Sequence, residues 1–208
     1  MIKLLHYTTD RFLVILISPS AGGKSSIARK LLADSEKYSY SVSYTTRPVR
    51  KDEKNGIHYH FVDKSTFSRL ASTGEFLEQA QVHGHQYATS RQVVCEALQK
   101  GRHVVLDIDV QGALQIMSQD IDAVTIFILP PSMQILRERL QDRGSDDQDV
   151  IRIRMKTAQR ELELIEKFQY LVINDDLEQA VLDVKKIISA EEMKISRFKN
   201  IKDNFLEV

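Results

Sequence analysis

The chain has 208 residues, 42% of them hydrophobic, which is enough for one α/β domain with a real core and small inserted units. Its 29 basic and 29 acidic residues give a formal net charge of +0. That balance argues against a nucleic-acid groove or an anionic membrane as partner and leaves anion binding to local clusters. One cysteine, Cys95, excludes an internal disulfide framework and reads as a small apolar helix residue. No stretch reaches the roughly 20 apolar residues that span a bilayer, and the first residues carry no cleavable leader pattern. The expectation is a soluble cytoplasmic protein.

In chain order, Phe12 to Ile17 is a short apolar run rich in β-branched residues, the pattern of a strand buried on both faces. Ser18-Pro19-Ser20-Ala21-Gly22-Gly23 follows as a small-residue loop, then Lys24-Ser25-Ser26 and a helix to about Ala33. Strand, small-residue loop, Lys-Ser and helix form the order of a phosphate-binding loop. Backbone amides at a helix N-terminus wrap a phosphate closely only where side chains stay small. Lys24 would reach the outer phosphates and Ser25 would turn its hydroxyl to a magnesium ion. The usual G-x-x-x-x-G-K-[ST] pattern has Gly where this chain has Ser18.

Residues 39–44 read as a second strand, followed by the polar, proline-stiffened Thr45-Thr46-Arg47-Pro48-Val49-Arg50. Asn55-Gly56 signals a turn, and His58 to Val62 a strand. Asp63 caps a helix to Ala71, and Glu75 to Val82 reads as a strand, with a turn at His83-Gly84-His85 and an extended piece to Thr89. The region from about 40 to 90 is thus a small β-rich insertion. Ser90 caps the next helix, closed by Lys100-Gly101. Buried strands at 103–108, 123–129 and 170–174 alternate with helices at Gln111–Ser118, Met133–Asp142, Asp149 to about Lys167, and Leu177–Met193. Residues 194–208 form a polar tail that extends the last helix, frays, or packs on a partner. Five strands, 12–17, 40–44, 103–108, 123–129 and 170–174, predict a parallel sheet with ligands at its carboxyl edge.

The phosphate loop, Asp107, Asp109 and Asn174 all fall at that edge. Asp107 and Asp109 end a strand and would either hold Mg2+, directly or through water, or cap a helix. Arg47 and Arg50 flank Pro48 and form either a phosphate fork or a solvated basic turn. Arg137, Arg139, Arg143, Arg152, Arg154 and Arg160 surround the 143–148 loop. Some of them would close over a moving phosphoryl group and exclude water, and the others would pair on helix surfaces. His58, His60, His83 and His85 lack metal-ligand spacing, and no nucleophile elbow appears.

Taken together, the phosphate loop, Ser43-Tyr44-Thr45-Thr46-Arg47-Pro48-Val49-Arg50, Asn55-Gly56-x-x-Tyr59, Glu75-Phe76-Leu77-Glu78, Tyr87-Ala88-Thr89, Leu106-Asp107-Ile108-Asp109-x-Gln111-Gly112, Pro130-Pro131-Ser132 and Asn174-Asp175-Asp176 resemble the guanylate kinase family over about residues 10–190. The resemblance implies an α/β fold of the P-loop NTPase type. It has a parallel sheet flanked by helices, a GMP-binding insertion at about 40–90, an Arg-rich lid at about 139–155 and a tail at 191–208. It implies transfer of the ATP γ-phosphoryl group to GMP, giving ADP and GDP, in purine nucleotide metabolism and GMP recycling. The substrates would be ATP and GMP, with Mg2+ and without nucleic acid or membrane; monomer and homo-oligomer both stay open.

By similarity, Ser43, Arg47, Arg50, Tyr59 and Tyr87 would hold the GMP phosphate, and Glu78, Thr89 and Asp109 would read the guanine edge, with Asp107 also on the GMP side. Residues 18–26 and Asn174 would hold ATP, with Asn174 near the adenine. Lys24, Arg47, Arg139, Arg143 and Arg154 would be catalytic, and Ser25 and Asp107 would serve the metal. The family usually has Gly at positions 18, 21 and 88, where this chain has Ser18, Ala21 and Ala88. The alternatives are a non-catalytic guanylate-kinase-like binding module and a P-loop kinase for another small phosphate acceptor.

Overall fold

The computed structural model describes residues 8–82, 84–142, 148–199 and 201–202. In chain order the elements are β1 (Thr8–Thr9), β2 (Leu13–Ile17), α1 (Lys24–Asp34), β3 (Tyr38–Tyr40), β4 (Tyr44–Thr45), β5 (His60–Phe61), α2 (Lys64–Ser72), β6 (Phe76–Val82), β7 (His85–Ser90), α3 (Arg91–Gln99) and β8 (His103–Asp107). Then come α4 (Val110–Met117), β9 (Ala123–Leu129), α5 (Met133–Asp142), α6 (Gln148–Leu162), β10 (Tyr170–Ile173), α7 (Leu177–Glu192) and β11 (Phe198–Lys199). Arg143 and His83 lie outside the described residues.

A five-stranded sheet in the order β10-β9-β2-β8-β3 is parallel throughout. β2 is central and every residue of it is buried. Its alternation separates two cores. Phe12, Val14 and Leu16 pack with α1 and α7, through Ile27, Leu31, Val181 and Val184. Leu13, Ile15 and Ile17 pack on the other face with Val94 of α3 and Ala113 and Ile116 of α4. Each fully buried aliphatic side chain contributes about 1.5–3 kcal/mol of transfer free energy, so the sandwiched sheet fixes the edge that carries the loops.

A second sheet, β5-β4-β7-β6, drawn from residues 44–90, is mostly antiparallel. The expected second strand at 40–44 divides between the two sheets. Tyr38–Tyr40 joins β8, whereas Tyr44–Thr45 joins β5 and β7. Ser41-Val42-Ser43 carries the chain across. The alternation runs through all of these residues, so hydrophobic period alone does not mark the crossing. α6 ends at Leu162 rather than near Lys167, and a 3-10 turn occupies Ile165–Lys167.

The described part of the tail neither prolongs α7 nor stands free. After a 3-10 turn at Ile195–Arg197, β11 pairs antiparallel with β1. Cys95 lies in a helix, α3, as read, and is exposed there, outside the Val94/Ala97 stripe that faces the core. No helix among the described residues is long and apolar enough to cross a membrane.

Candidate active site

The loop between β2 and α1 sits at the carboxyl edge of the central sheet. Gly23 precedes α1 with φ 107°, and Ala21 takes φ 70°, a left-handed backbone rare outside glycine. Ser18 is buried, and its hydroxyl donates to the Pro19 carbonyl at 2.9 Å. A Cβ on Gly22 would come within 2.7 Å of Ser18 Oγ, so the serine fills the space beneath that glycine. The Asn174 amide, buried after β10, donates to the Gly22 carbonyl at 2.9 Å, and a Cβ on Gly23 would collide with it. The loop is therefore braced from below at both glycines.

Lys24 opens α1. Its ammonium lies 2.9 Å from the Ile108 carbonyl and 3.5 Å from both the Ser18 carbonyl and Asp107 Oδ1. Ser25 Oγ donates to Asp107 Oδ2 at 2.5 Å. Asp109 caps α4 by accepting from the Gly112 amide at 3.0 Å, so the helix-cap alternative holds for it alongside any ligand role. Tyr40 and Tyr59 face this carboxylate cluster; burial and then Asp107 raise both hydroxyls, Tyr59 to about 12, so both stay protonated donors.

In the insertion, Glu78 is 4% exposed and accepts from Thr89 Oγ1 at 2.7 Å. Burial, aided by the nearby Asp109 charge, pushes its carboxyl up to about 7 against the pull of that hydrogen bond. A Cβ at Gly112 would strike Glu78, so α4 approaches this carboxyl only because position 112 is glycine. Arg47 meets Glu53 in a two-pronged pair, Nη1 to Oε2 at 2.9 Å and Nη2 to Oε1 at 2.7 Å. Its guanidinium lies 5.3 Å from the Tyr59 ring and 5.6 Å from the Phe61 ring. Ser43 is buried, and Arg50 is exposed with its amide donating to Glu53.

Helical position sorts the remaining arginines. Arg139 is half-buried, and its Nη2 donates to the Asn174 carbonyl at 3.0 Å. Arg154 shares the inward stripe of α6 with Ile151, Ala158 and Glu161. Arg137, Arg152 and Arg160 are exposed, and Arg152 pairs with Asp149 at 3.1 Å.

Residues 10–191 match the family model described as guanylate kinase. The chain is 46% identical over 185 residues to the guanylate kinase of Nitrosomonas europaea, covering 89% of this chain and 92% of that protein. It is 48% identical over 184 residues to that of Vibrio cholerae, covering 88% and 89%. The chain belongs to the guanylate kinase family. A crystal structure of guanylate kinase from Anaplasma phagocytophilum superposes with a TM-score of 0.81 at 35% identity, covering 95% of each chain.

Against the family pattern, Ala21 stands at a position whose left-handed backbone suits glycine, and Ser18 is accommodated by turning its hydroxyl inward. Of the expected site residues, Lys24, Ser25, Asp107 and the loop lie together, and Glu78 meets Thr89 while Arg47 meets Tyr59 and Tyr87. Arg143 alone falls outside the described residues. Two acids escaped the sequence reading as site residues. Glu53 looked like one charge in a polar turn. Glu161 looked like a surface partner for arginines, yet its Oε2 is shielded and makes no hydrogen bond among the described residues. Burial raises the Glu161 carboxyl to about 7 against the attraction of Lys24, and the Asp109 charge adds to the rise. The signal for Glu161 was its spacing, three residues after Ala158 and seven after Arg154, which puts all three on one helical face.

Proposed function

We propose that this chain transfers the γ-phosphoryl group of ATP to GMP, with the loop at 18–26 as donor site and the insertion as acceptor site. One observation supports this most: the surroundings of Lys24 and of Glu78 meet at the Asp107-Ile108-Asp109 turn. Lys24 contacts Asp107 and the Ile108 carbonyl, while Asp109 faces Glu78. A triphosphate on the loop and a base against Glu78 are thereby brought to a shared edge.

The loop amides and Lys24 take the β- and γ-phosphates. Glu78 and Thr89, with Asp109 beside them, select guanine, whose N1–H and 2-amino group are donors that a carboxylate accepts and adenine does not offer. Arg47, Arg50, Ser43, Tyr59 and Tyr87 hold the acceptor phosphate so that one of its oxygens attacks the γ-phosphorus in line, breaking its bond to the ADP oxygen. Arg139, Arg143 and Arg154 offset the charge spread over the moving group. Asn174 braces the loop from beneath in addition to any contact with adenine.

The Ser25 hydroxyl and Asp107 carboxylate, bonded to each other, are hard oxygen donors of the kind that suits Mg2+ and would hold it there. Bound with ATP, the ion would neutralise charge between the outer phosphates. A coupled assay of ADP release comparing GMP, AMP, CMP and UMP tests the reading. Turnover confined to GMP is expected, and equal turnover with AMP would overturn the role of Glu78.

A further inference from the structure

Arg47 offers five N–H donors. Nη1 spends its two on the Pro48 carbonyl at 2.7 Å and Glu53 Oε2 at 2.9 Å, and Nη2 spends one on Glu53 Oε1 at 2.7 Å. What remains is the Nε–H and the second Nη2–H, which lie side by side as a fork that fits two oxygens of one phosphate. The Tyr87 hydroxyl hydrogen-bonds the same guanidinium, so the fork already meets this second expected phosphate ligand, and the Tyr59 and Phe61 rings lie within 5.6 Å of it. Glu53 also accepts the Arg50 amide at 2.9 Å, so one carboxylate holds the positions of both arginines.

We propose that Glu53 is a positioning residue of the acceptor-phosphate site, gripping Arg47 from behind and turning its side-on fork toward the phosphate. This rests on the reading of Arg47 and Arg50 as acceptor-phosphate ligands. The opposing possibility is that Glu53 sits where the phosphate binds and competes with it. The donor inventory argues against that, because the carboxylate occupies the end of the guanidinium and leaves the side fork to Tyr87, itself an expected phosphate ligand, and to the phosphate. The hydrogen bonds from Arg47 also hold the Glu53 carboxyl below the usual carboxylate range, so the grip persists at neutral pH.

Calorimetry on the full chain with GMP and with guanosine, which lacks the phosphate, separates these roles. Glu53→Gln keeps size but loses one acceptor for Arg47. It should weaken GMP binding about ten-fold while changing guanosine binding less than about two-fold, with the ATP KM unaltered. Combined with Arg47→Ala, the same substitution should cost clearly less than it does alone, since only its hold on the Arg50 amide is left to lose. Glu53→Asp keeps the charge on a shorter arm and should fall between.

Equal losses for GMP and guanosine would mean a general role in the insertion's fold and overturn the proposal. Unchanged GMP affinity would overturn it too, as would tighter GMP binding, the mark of a competing carboxylate. Should Glu53→Gln unfold, Glu53→Asp carries the same comparison, and a loss shared by guanosine overturns the proposal. If the unsubstituted protein binds ATP and guanosine but gains nothing from the phosphate of GMP, the acceptor-phosphate reading itself falls, and this proposal with it.

Discussion

At the amino end of the parallel sheet, Arg197 is 7% exposed and meets Glu191 at 3.0 Å and also Asp122, with its guanidinium 4.1 Å from the centre of the Phe12 ring. Glu191 takes Lys194 at 2.6 Å and the Tyr170 hydroxyl as well. Burial works to raise its carboxyl, but these donors outweigh it and hold it below the ordinary range. Beside them, His103 is fully buried between the Phe12 amide and Glu192. At the carboxyl end, by contrast, Glu78 and Glu161 are both pushed up to about 7 by burial. Lys24 there leans on carbonyls and a carboxylate 3.5 Å away. Charges at the first end meet opposite charges within the chain and hold the fold. Those at the second are desolvated without full compensation, the condition in which ligand charge is worth most.

Substitutions at the two ends should therefore have opposite consequences. Lys24→Ala should lower kcat by about a thousand-fold, the scale of a lost transition-state charge, while the melting temperature stays nearly constant. Turnover and thermal unfolding measured on one preparation check this; a large fall in melting temperature would erase the distinction. Glu191→Ala should do the reverse, costing about 3–5 kcal/mol of stability by leaving buried Arg197 without its 3.0 Å partner, with KM for GMP unchanged at temperatures where the protein stays folded. Urea unfolding reads the first effect and steady-state kinetics the second.

The acceptor pocket should respond to pH. If, as proposed, guanine's donors need the ionised Glu78, whose carboxyl burial pushes up to about 7, GMP affinity should fall as pH drops from 8 to 6, by up to about ten-fold. Glu78→Gln should flatten that profile. A slope in ATP affinity would instead report Glu161, which faces Lys24. The smallest effect concerns the loop. Ala21→Gly should stabilise the chain by up to about 1 kcal/mol, since the left-handed backbone at φ 70° costs alanine what glycine avoids. That gain is offset in part by the glycine's greater freedom when unfolded. Calorimetric melting with and without ATP measures it.

The proposed donor half of the site was legible in sequence because its parts are consecutive: a buried strand, small residues, Lys-Ser and a helix. The Glu78–Thr89 pair was legible only through the family pattern, since antiparallel register brings the two together from strands eleven residues apart in sequence. Glu53 and Arg197 were not legible. A charge in a polar turn or tail looks solvated unless its partner is known, and Arg197 finds Asp122 75 positions away. Nor did the pattern reveal where the 38–45 segment leaves one sheet for the other, because a strand's alternation is the same in both. Helical arginines were sorted only once the inward stripe of α6 was seen: Arg154 is on it, and Arg152 and Arg160 are not.

The pairing of Thr8–Thr9 with Phe198–Lys199 puts the first and last described strands side by side, where Arg197 anchors them at the margin of the sheet away from the phosphate loop. Between these two strands the path is thus almost a closed ring. A short covalent splice between these strands, with a new opening cut in an exposed turn such as Gly101-Arg102, would reorder the sequence while leaving each strand pairing, the loop at 18–26 and the Glu78–Thr89 pair as they are.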